Sequence, residues 1–309
     1  MTHRILLTDL DLGTPELERD LISRHLDAEL VARDCRTEND VLEAVREVRP
    51  DGIIVQWAPI TDAVLAEAPG CRIVSRIGIG LDMVDLEAAA RRGVLVKNVP
   101  HYCTEEVATH AVAMGLALWR QLPRLDHELR MGTWNAVGAA DDIRRLSEST
   151  VGLIGMGRIG RLVADAYAAW GARVIVADPL VGDDAYERVA LSTIAAEADL
   201  ISIHAPLVPE THHIVDAAFL STTVKRPVLV NVSRGALVDT LAAAVAVNDG
   251  VLSGLGLDVF ESEPLPADHP VRRTPNTLIS PHAAWSSVTA LPELRRMAAL
   301  NVVEALSGA

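Results

Sequence analysis

The chain has 309 residues, a length that suits two domains, each burying its own core. Half of the residues are hydrophobic and 23% are charged, ordinary for a globular enzyme, and no apolar run nears the ~18 residues of a membrane span. The net charge of −14 argues against direct nucleic-acid binding, which clustered Lys and Arg drive, and no membrane partner is expected.

Cys35, Cys71 and Cys103 stand in no CxxC spacing, so reduced, buried thiols in a cytoplasmic protein are expected. His212 and His213 have no Cys or carboxylate at ligand spacing, and no metal is expected. The opening "MTHRILLTDLD" meets Asp9 and Asp11 too soon for a secretory signal and reads as a first β-strand.

That strand, "RILLTD" (4–9), precedes a helix opened by "TPELERDLI", with Thr14 as N-cap and Pro15 as N1. "DGIIVQ" (51–56), "RIVSRIG" (72–78) and "VLVKN" (94–98) predict further buried strands. A long helix follows from about Thr104, with "VATHAVAMGLALW" on its apolar face. A second set of strands begins near Thr150: "VGLIG", "ARVIVAD", "DLISIHA", "PVLVNV", "GLGLDV" and "TLISPH". Strands alternating with helical patterns predict an α/β class of two parallel-sheet units, the second starting near residue 99.

"TVGLIGMGRIG" puts Gly155, Gly157 and Gly160 in GxGxxG spacing, after an apolar strand and before the helix "RIGRLVADAYAAW" that Gly171 stops. Asp178 ends the next strand, about 20 residues on, which completes the context of a dinucleotide turn. Gly155 permits the turn, Gly157 lets backbone N–H groups approach a pyrophosphate, and Gly160 lets the helix pack close. Asp178 can accept both ribose hydroxyls and would repel a 2′-phosphate, so NAD is expected rather than NADP.

Three further groups follow apolar strands: Arg234 in "NVSRG", Glu263 in "GLDVFESEP" and His282 in "SPHAAW". Reduction of a ketone by NADH needs a proton donor, and histidine suits that task. A carboxylate such as Glu263 would orient the ring and favour its protonated form. A guanidinium can pair with a substrate carboxylate and polarise the adjacent ketone, which points to a 2-keto acid.

With these residues in place the chain resembles the D-isomer-specific 2-hydroxyacid dehydrogenases nearly end to end. "RIGIGLDMVD", "VGLIGMGRIG", "ISIHAPLVPETHHIV", "NVSRGALVD", "GLDVFESEP" and "SPHAAW" are similar to that family's motifs, in its order. The resemblance implies two Rossmann-like or flavodoxin-like domains with a cleft between them. It gives 1–98 with 286–309 to substrate and 99–285 to NAD, with two hinges that close the cleft. It implies Arg234, Glu263 and His282 as the catalytic trio, with His282 as proton donor. Met156, Arg158 and Ile159 would join the three glycines at the cofactor. His204, Ala205, Pro206, Thr211, Val232, Ser233, Arg234 and His282 would line its cleft, with Asp258 near the nicotinamide. A homodimer through the 104–150 segment is expected.

Within "SRIGIG", Arg76 stands beside Gly78 and Gly80, and the 77–80 turn could hold the substrate carboxylate. This stretch and "HAAW" are most similar to the C-terminal-binding-protein branch, which implies that Arg76 and Trp285 face the substrate. Ile79 departs from the small polar residue usual there, and Thr240 replaces the usual Glu in the first turn of a helix capped by Asp239. His101 and Tyr102 fall at the first hinge. Trp285 would favour an apolar or thioether side chain on the substrate. The branch also motivates an alternative: an NADH-sensing co-regulator with low turnover.

Overall fold

The computed structural model describes residues 2–135, 137–138, 143–180 and 185–308. The chain forms two compact units, Met1–Tyr102 with Ser286–Ala309, and Cys103–Trp285. No helix among the described residues is long and apolar enough to cross a membrane.

In the first unit the apolar runs become β1 (His3–Leu7), β3 (Gly52–Val55), β4 (Ile73–Arg76) and β5 (Leu95–Lys97). A further strand, β2 (Ala28–Ala32), lies outside β1, and the parallel order is β2-β1-β3-β4-β5. Helices α1 (Glu16–His25), α2 (Glu38–Val48), α3 (Asp62–Glu67) and α4 (Leu86–Arg92) connect them. α2 starts at a capping box built on Thr37 and Asp40, and Asp85 caps α4 through the Ala88 N–H. The C-terminal helix, Ala290–Ser307, packs on β3 and β4. A β-carbon on Gly52 would stand 3.1 Å from Val302 of that helix.

Two details differ from the sequence reading. Pro15, not Thr14, is the N-cap of α1: the Pro15 carbonyl accepts the first helical bond from Arg19, while the Thr14 carbonyl accepts from Arg295. Residues 99–102 cluster with the first unit, where the Val99 N–H donates to the Gly78 carbonyl.

The second unit opens with α5 (Thr104–Trp119) and α6 (Leu122–Arg130). Its sheet contains β6 (Thr150–Ile154), β7 (Arg173–Ala177), β8 (Glu187–Arg188), β9 (Leu200–Ile203), β10 (Val228–Asn231), β11 (Gly254–Leu257) and β12 (Thr277–Ile279). Around it run α7 (Arg158–Ala169), α8 (Leu191–Glu197), α9 (Ala217–Ser221) and α10 (Thr240–Asn248). The parallel order β12-β11-β10-β9-β6-β7-β8 places β6 between β9 and β7. The chain reverses direction across the sheet there, and in such sheets the ligand crevice opens beyond the strand ends. α5 lies close on β11 because Gly254 and Gly256 carry no side chain: β-carbons there would stand 3.2 and 3.3 Å from Leu118 and Met114.

Candidate active site

Every residue singled out in the second half of the sequence belongs to the second unit, mostly at the carboxyl ends of its strands. Gly155 turns the chain out of β6 at φ 95°, and a β-carbon on it would lie 2.6 Å from the Ala205 nitrogen. One on Gly160 would lie 2.6 Å from the Gly155 carbonyl oxygen, so the first turn of α7 sits directly on the strand end. Gly157 is the N-cap, with Arg158, Ile159 and Gly160 following in the first turn, and a β-carbon on Gly157 would meet nothing within 4 Å. A close-packed turn with open space at its middle glycine and helical N–H groups behind it fits a pyrophosphate.

Asp178 directly follows β7. Its carboxylate accepts from Met156 N–H and Leu180 N–H, both at 2.8 Å, which ties the glycine turn to the neighbouring strand end. Two oxygens with one backbone donor each retain lone pairs for ribose hydroxyls. His204, Ala205 and Pro206 follow β9. Burial holds the His204 imidazole down to about 4, and its buried Nδ1 has no hydrogen-bond partner in the structure. Thr211 uses its hydroxyl to pin its own loop, accepting from Val208 N–H at 2.9 Å and donating to the Pro206 carbonyl at 2.7 Å. These residues fit a dinucleotide.

Val232, Ser233 and Arg234 follow β10. The Ser233 hydroxyl donates to the Ile203 carbonyl at 2.8 Å, and the Asn231 side chain clamps the turn by donating to the Arg234 carbonyl. Glu263 and His282 stand on the loops after β11 and β12, and they meet: His282 Nδ1 is 2.7 Å from Glu263 Oε2. Glu263 Oε1 accepts from Phe260 N–H at 2.9 Å. Burial pushes the Glu263 carboxyl up. The His282 hydrogen bond and charge, the Phe260 N–H and the Arg234 charge outweigh that and hold it below the usual carboxylate range. His282 has a left-handed backbone, φ 52°, and its N–H donates to the Asp258 carbonyl at 2.7 Å. Asp258 is fully buried, with its carboxylate accepting from Ser280, Ala283 and Ala284.

In the first unit Arg76 ends β4 and is buried, its guanidinium folded over Gly78 and 5.5 Å from the Trp57 ring centroid. The Ile77 and Gly78 N–H groups donate to Val55 and Arg76 carbonyls, so those two are occupied within the turn. One residue here escaped the sequence reading. Asp9, buried after β1, accepts from the N–H groups of Gln56, Trp57 and Ala58 at 2.8 to 3.1 Å and builds the turn that carries Trp57. In the second unit, Gly235 and Ser280 were missed for the same reason: each works through partners far away in sequence.

Asp239 caps α10 through the Ala242 N–H, and Thr240 sits buried in its first turn with its N–H donating to Glu261. Glu261 also meets His213 at 2.6 Å. Among the described residues no group of three or more His, Cys, Asp or Glu is arranged to hold a metal ion.

Residues 112–284 match the family described as D-isomer specific 2-hydroxyacid dehydrogenase, NAD binding domain. D-3-phosphoglycerate dehydrogenase of Mycobacterium tuberculosis is 40% identical over 274 residues, 87% of this chain and 51% of that protein. The chain thus spans about half the length of that relative. Glyoxylate reductase of Korarchaeum cryptofilum is 35% identical over 254 residues, 79% of this chain and 76% of its own. Among solved structures, D-lactate dehydrogenase of Aquifex aeolicus, complexed with NAD and lactic acid, superposes with a TM-score of 0.86 at 27% identity, covering 99% of this chain and 95% of that one. With its match over residues 112–284 and these relatives along most of its length, the chain belongs to the D-isomer specific 2-hydroxyacid dehydrogenase family.

Proposed function

We propose that the protein is an NAD-dependent dehydrogenase that interconverts a 2-keto acid and a D-2-hydroxy acid. The observation that carries this reading is the 2.7 Å contact between His282 and Glu263 on a sheet whose β6–α7 turn fits a dinucleotide. Bound NADH supplies a hydride to the keto carbon. Glu263 holds His282 by Nδ1, which leaves Nε2 as the atom that delivers the proton to the substrate oxygen. Arg234 pairs with the substrate carboxylate and polarises the carbonyl. Asp178 favours NAD by meeting the ribose hydroxyls. Ser233, Val232, Thr211, Pro206, Ala205 and His204 serve the cofactor, with Asp258 beside them.

Arg76, Gly78 and Ile79 in the first unit and Trp285 in the second are assigned to the substrate. With Ile77 and Gly78 already donating internally, the anion contacts fall to the Ile79 and Gly80 N–H groups. On this reading the first unit is the substrate domain and the second the NAD domain. Similar proteins named D-3-phosphoglycerate dehydrogenase, glyoxylate reductase and D-lactate dehydrogenase support an enzyme acting on a small hydroxy acid. They do not favour the NADH-sensing co-regulator. A cytoplasmic setting is supported by the burial of Cys35, Cys71 and Cys103, with burial pushing the Cys71 thiol up to about 12.

A homodimer through the 104–150 segment is supported by exposed apolar side chains there. Leu122 and Leu129 on α6, with Met131 and Trp134 beyond it, are all more than half exposed. Residues 136 and 139–142 of that segment lie outside the described residues. Sedimentation of the parent against Trp134→Ser tests the dimer.

The test of function is NADH absorbance during incubation with glyoxylate, pyruvate, 3-phosphohydroxypyruvate, 4-methylthio-2-oxobutyrate or phenylpyruvate. At least one acid is reduced, and His282→Ala loses roughly 10²- to 10⁴-fold in rate. Tight NADH binding with no acid reduced would overturn the reading.

A further inference from the structure

His110 on α5 and Ser280 after β12 take no part in the proton transfer above, yet they join the scaffold beneath it. Ser280 Oγ lies 2.5 Å from Asp258 Oδ1 and 3.0 Å from His110 Nε2. A hydroxyl has one hydrogen, and a carboxylate oxygen accepts. The Ser280 hydrogen therefore goes to Asp258, and Ser280 Oγ accepts from His110. That polarity puts the ring hydrogen of His110 on Nε2. Asp258 in turn accepts from Ala283 N–H and Ala284 N–H, both at 2.9 Å, and its carbonyl accepts from His282 N–H. The 280–284 loop is thus wrapped around one buried residue, with His282 at its apex in a left-handed backbone. Such a conformation persists at a non-glycine residue only where the surroundings over-determine it.

We propose that His110 is a positioning residue for His282, holding the 280–284 loop through the directed chain His110 Nε2–H to Ser280 Oγ–H to Asp258. This rests on the reading of His282 as the proton donor. His110 lies 170 residues from Ser280 and never meets the His282 ring through this chain, so its loss acts on the placement of the ring. Losing a hydrogen-bond donor at the far end loosens the loop without removing a cofactor contact. The effect then falls on turnover and not on binding.

The experiment uses the full chain with NADH and whichever acid of the panel above turns over fastest. His110→Phe keeps a ring on α5 but has no N–H, Ser280→Ala breaks the middle of the chain, and His110→Gln offers an N–H at comparable reach. His110→Phe and Ser280→Ala each lower kcat roughly 10- to 100-fold, the scale of a misplaced catalytic group. KM and the NADH Kd, read by NADH fluorescence, stay near parental values. The double variant is no slower than either single variant, and His110→Gln regains most of the rate. In a His282→Ala background, His110→Phe costs nothing more. Should His110→Phe fail to fold by circular dichroism, Ser280→Ala and His110→Gln carry the same comparison. Parental kcat in His110→Phe or in Ser280→Ala, an additive double variant, or a loss confined to KM or Kd overturns the proposal and leaves the role of His282 standing. Undiminished kcat in His282→Ala overturns that role, and the proposal with it.

Discussion

A β-carbon on Gly235 would stand 1.9 Å from the carbonyl carbon of Phe260. The backbone that carries Arg234 therefore lies against the backbone that leads to Glu263, and no side chain fits between them. Gly235→Ala must push one loop off the other. Overpacking of this kind costs about 1–3 kcal/mol, and it separates the guanidinium from the acid–base pair. A lower urea midpoint together with a fall in kcat is the expected result. A variant with parental midpoint and rate would show that the two loops part freely.

Glu263→Gln keeps a hydrogen-bonding group 2.7 Å from His282 but removes its charge. The carboxylate orients the ring through Nδ1, and the amide that replaces it can turn its NH2 group to that nitrogen instead of an acceptor. kcat of keto-acid reduction should therefore fall roughly 10- to 100-fold. Steady-state rates with saturating NADH check this, and a parental kcat would show that the carboxylate is not needed to hold the ring.

Strands buried along their whole length were legible because every residue can be apolar: β3, β4, β6, β9 and β10 are each continuous buried runs. β2 and β8 lie at sheet edges with exposed positions, and "AELVA" and "ER" carry little periodic signal. His282 and Glu263 could be read because each follows a strand and their chemistries complement one another. Asp9 could not. Its role exists only because three N–H groups 47 to 49 residues away point at it. His110 and Ser280, 170 residues apart, are invisible for the same reason.

His204 makes the free protein acid-sensitive. Its folded-state pKa is lowered by burial to about 4, against 6.5 for an exposed imidazole. Below pH 6.5 the unfolded chain takes up a proton that the folded chain refuses, so stability is full above that pH and declines as pH falls toward 4. Linkage puts the loss at about 3 kcal/mol across the window. Glu263, held low when folded, adds a loss of the same sign as pH falls through the carboxylate range. Urea unfolding at pH 7, 6, 5 and 4.5 measures the slope, and His204→Asn should flatten it between pH 6.5 and 5. An equal slope in parent and variant would assign the acid sensitivity elsewhere.

Arg295 ties the C-terminal helix into the first unit. Its guanidinium donates to Glu18 Oε1 at 2.7 Å and Oε2 at 2.5 Å, and to the carbonyls of Leu12 and Thr14. The Glu18 side chain is 2% exposed and that of Arg295 13%. Removing one partner strands a buried charge, which costs about 3–5 kcal/mol. Arg295→Ala should therefore unfold at markedly lower urea, whereas Arg295→Met with Glu18→Leu, which removes both charges and keeps apolar volume, should recover most of the loss. Arg296, paired with Glu293 on the exposed face of the same helix, is the control, because exposed pairs contribute ~1 kcal/mol at most. Equal effects of Arg295→Ala and Arg296→Ala would show that the buried pair is no stronger a tie than a surface one.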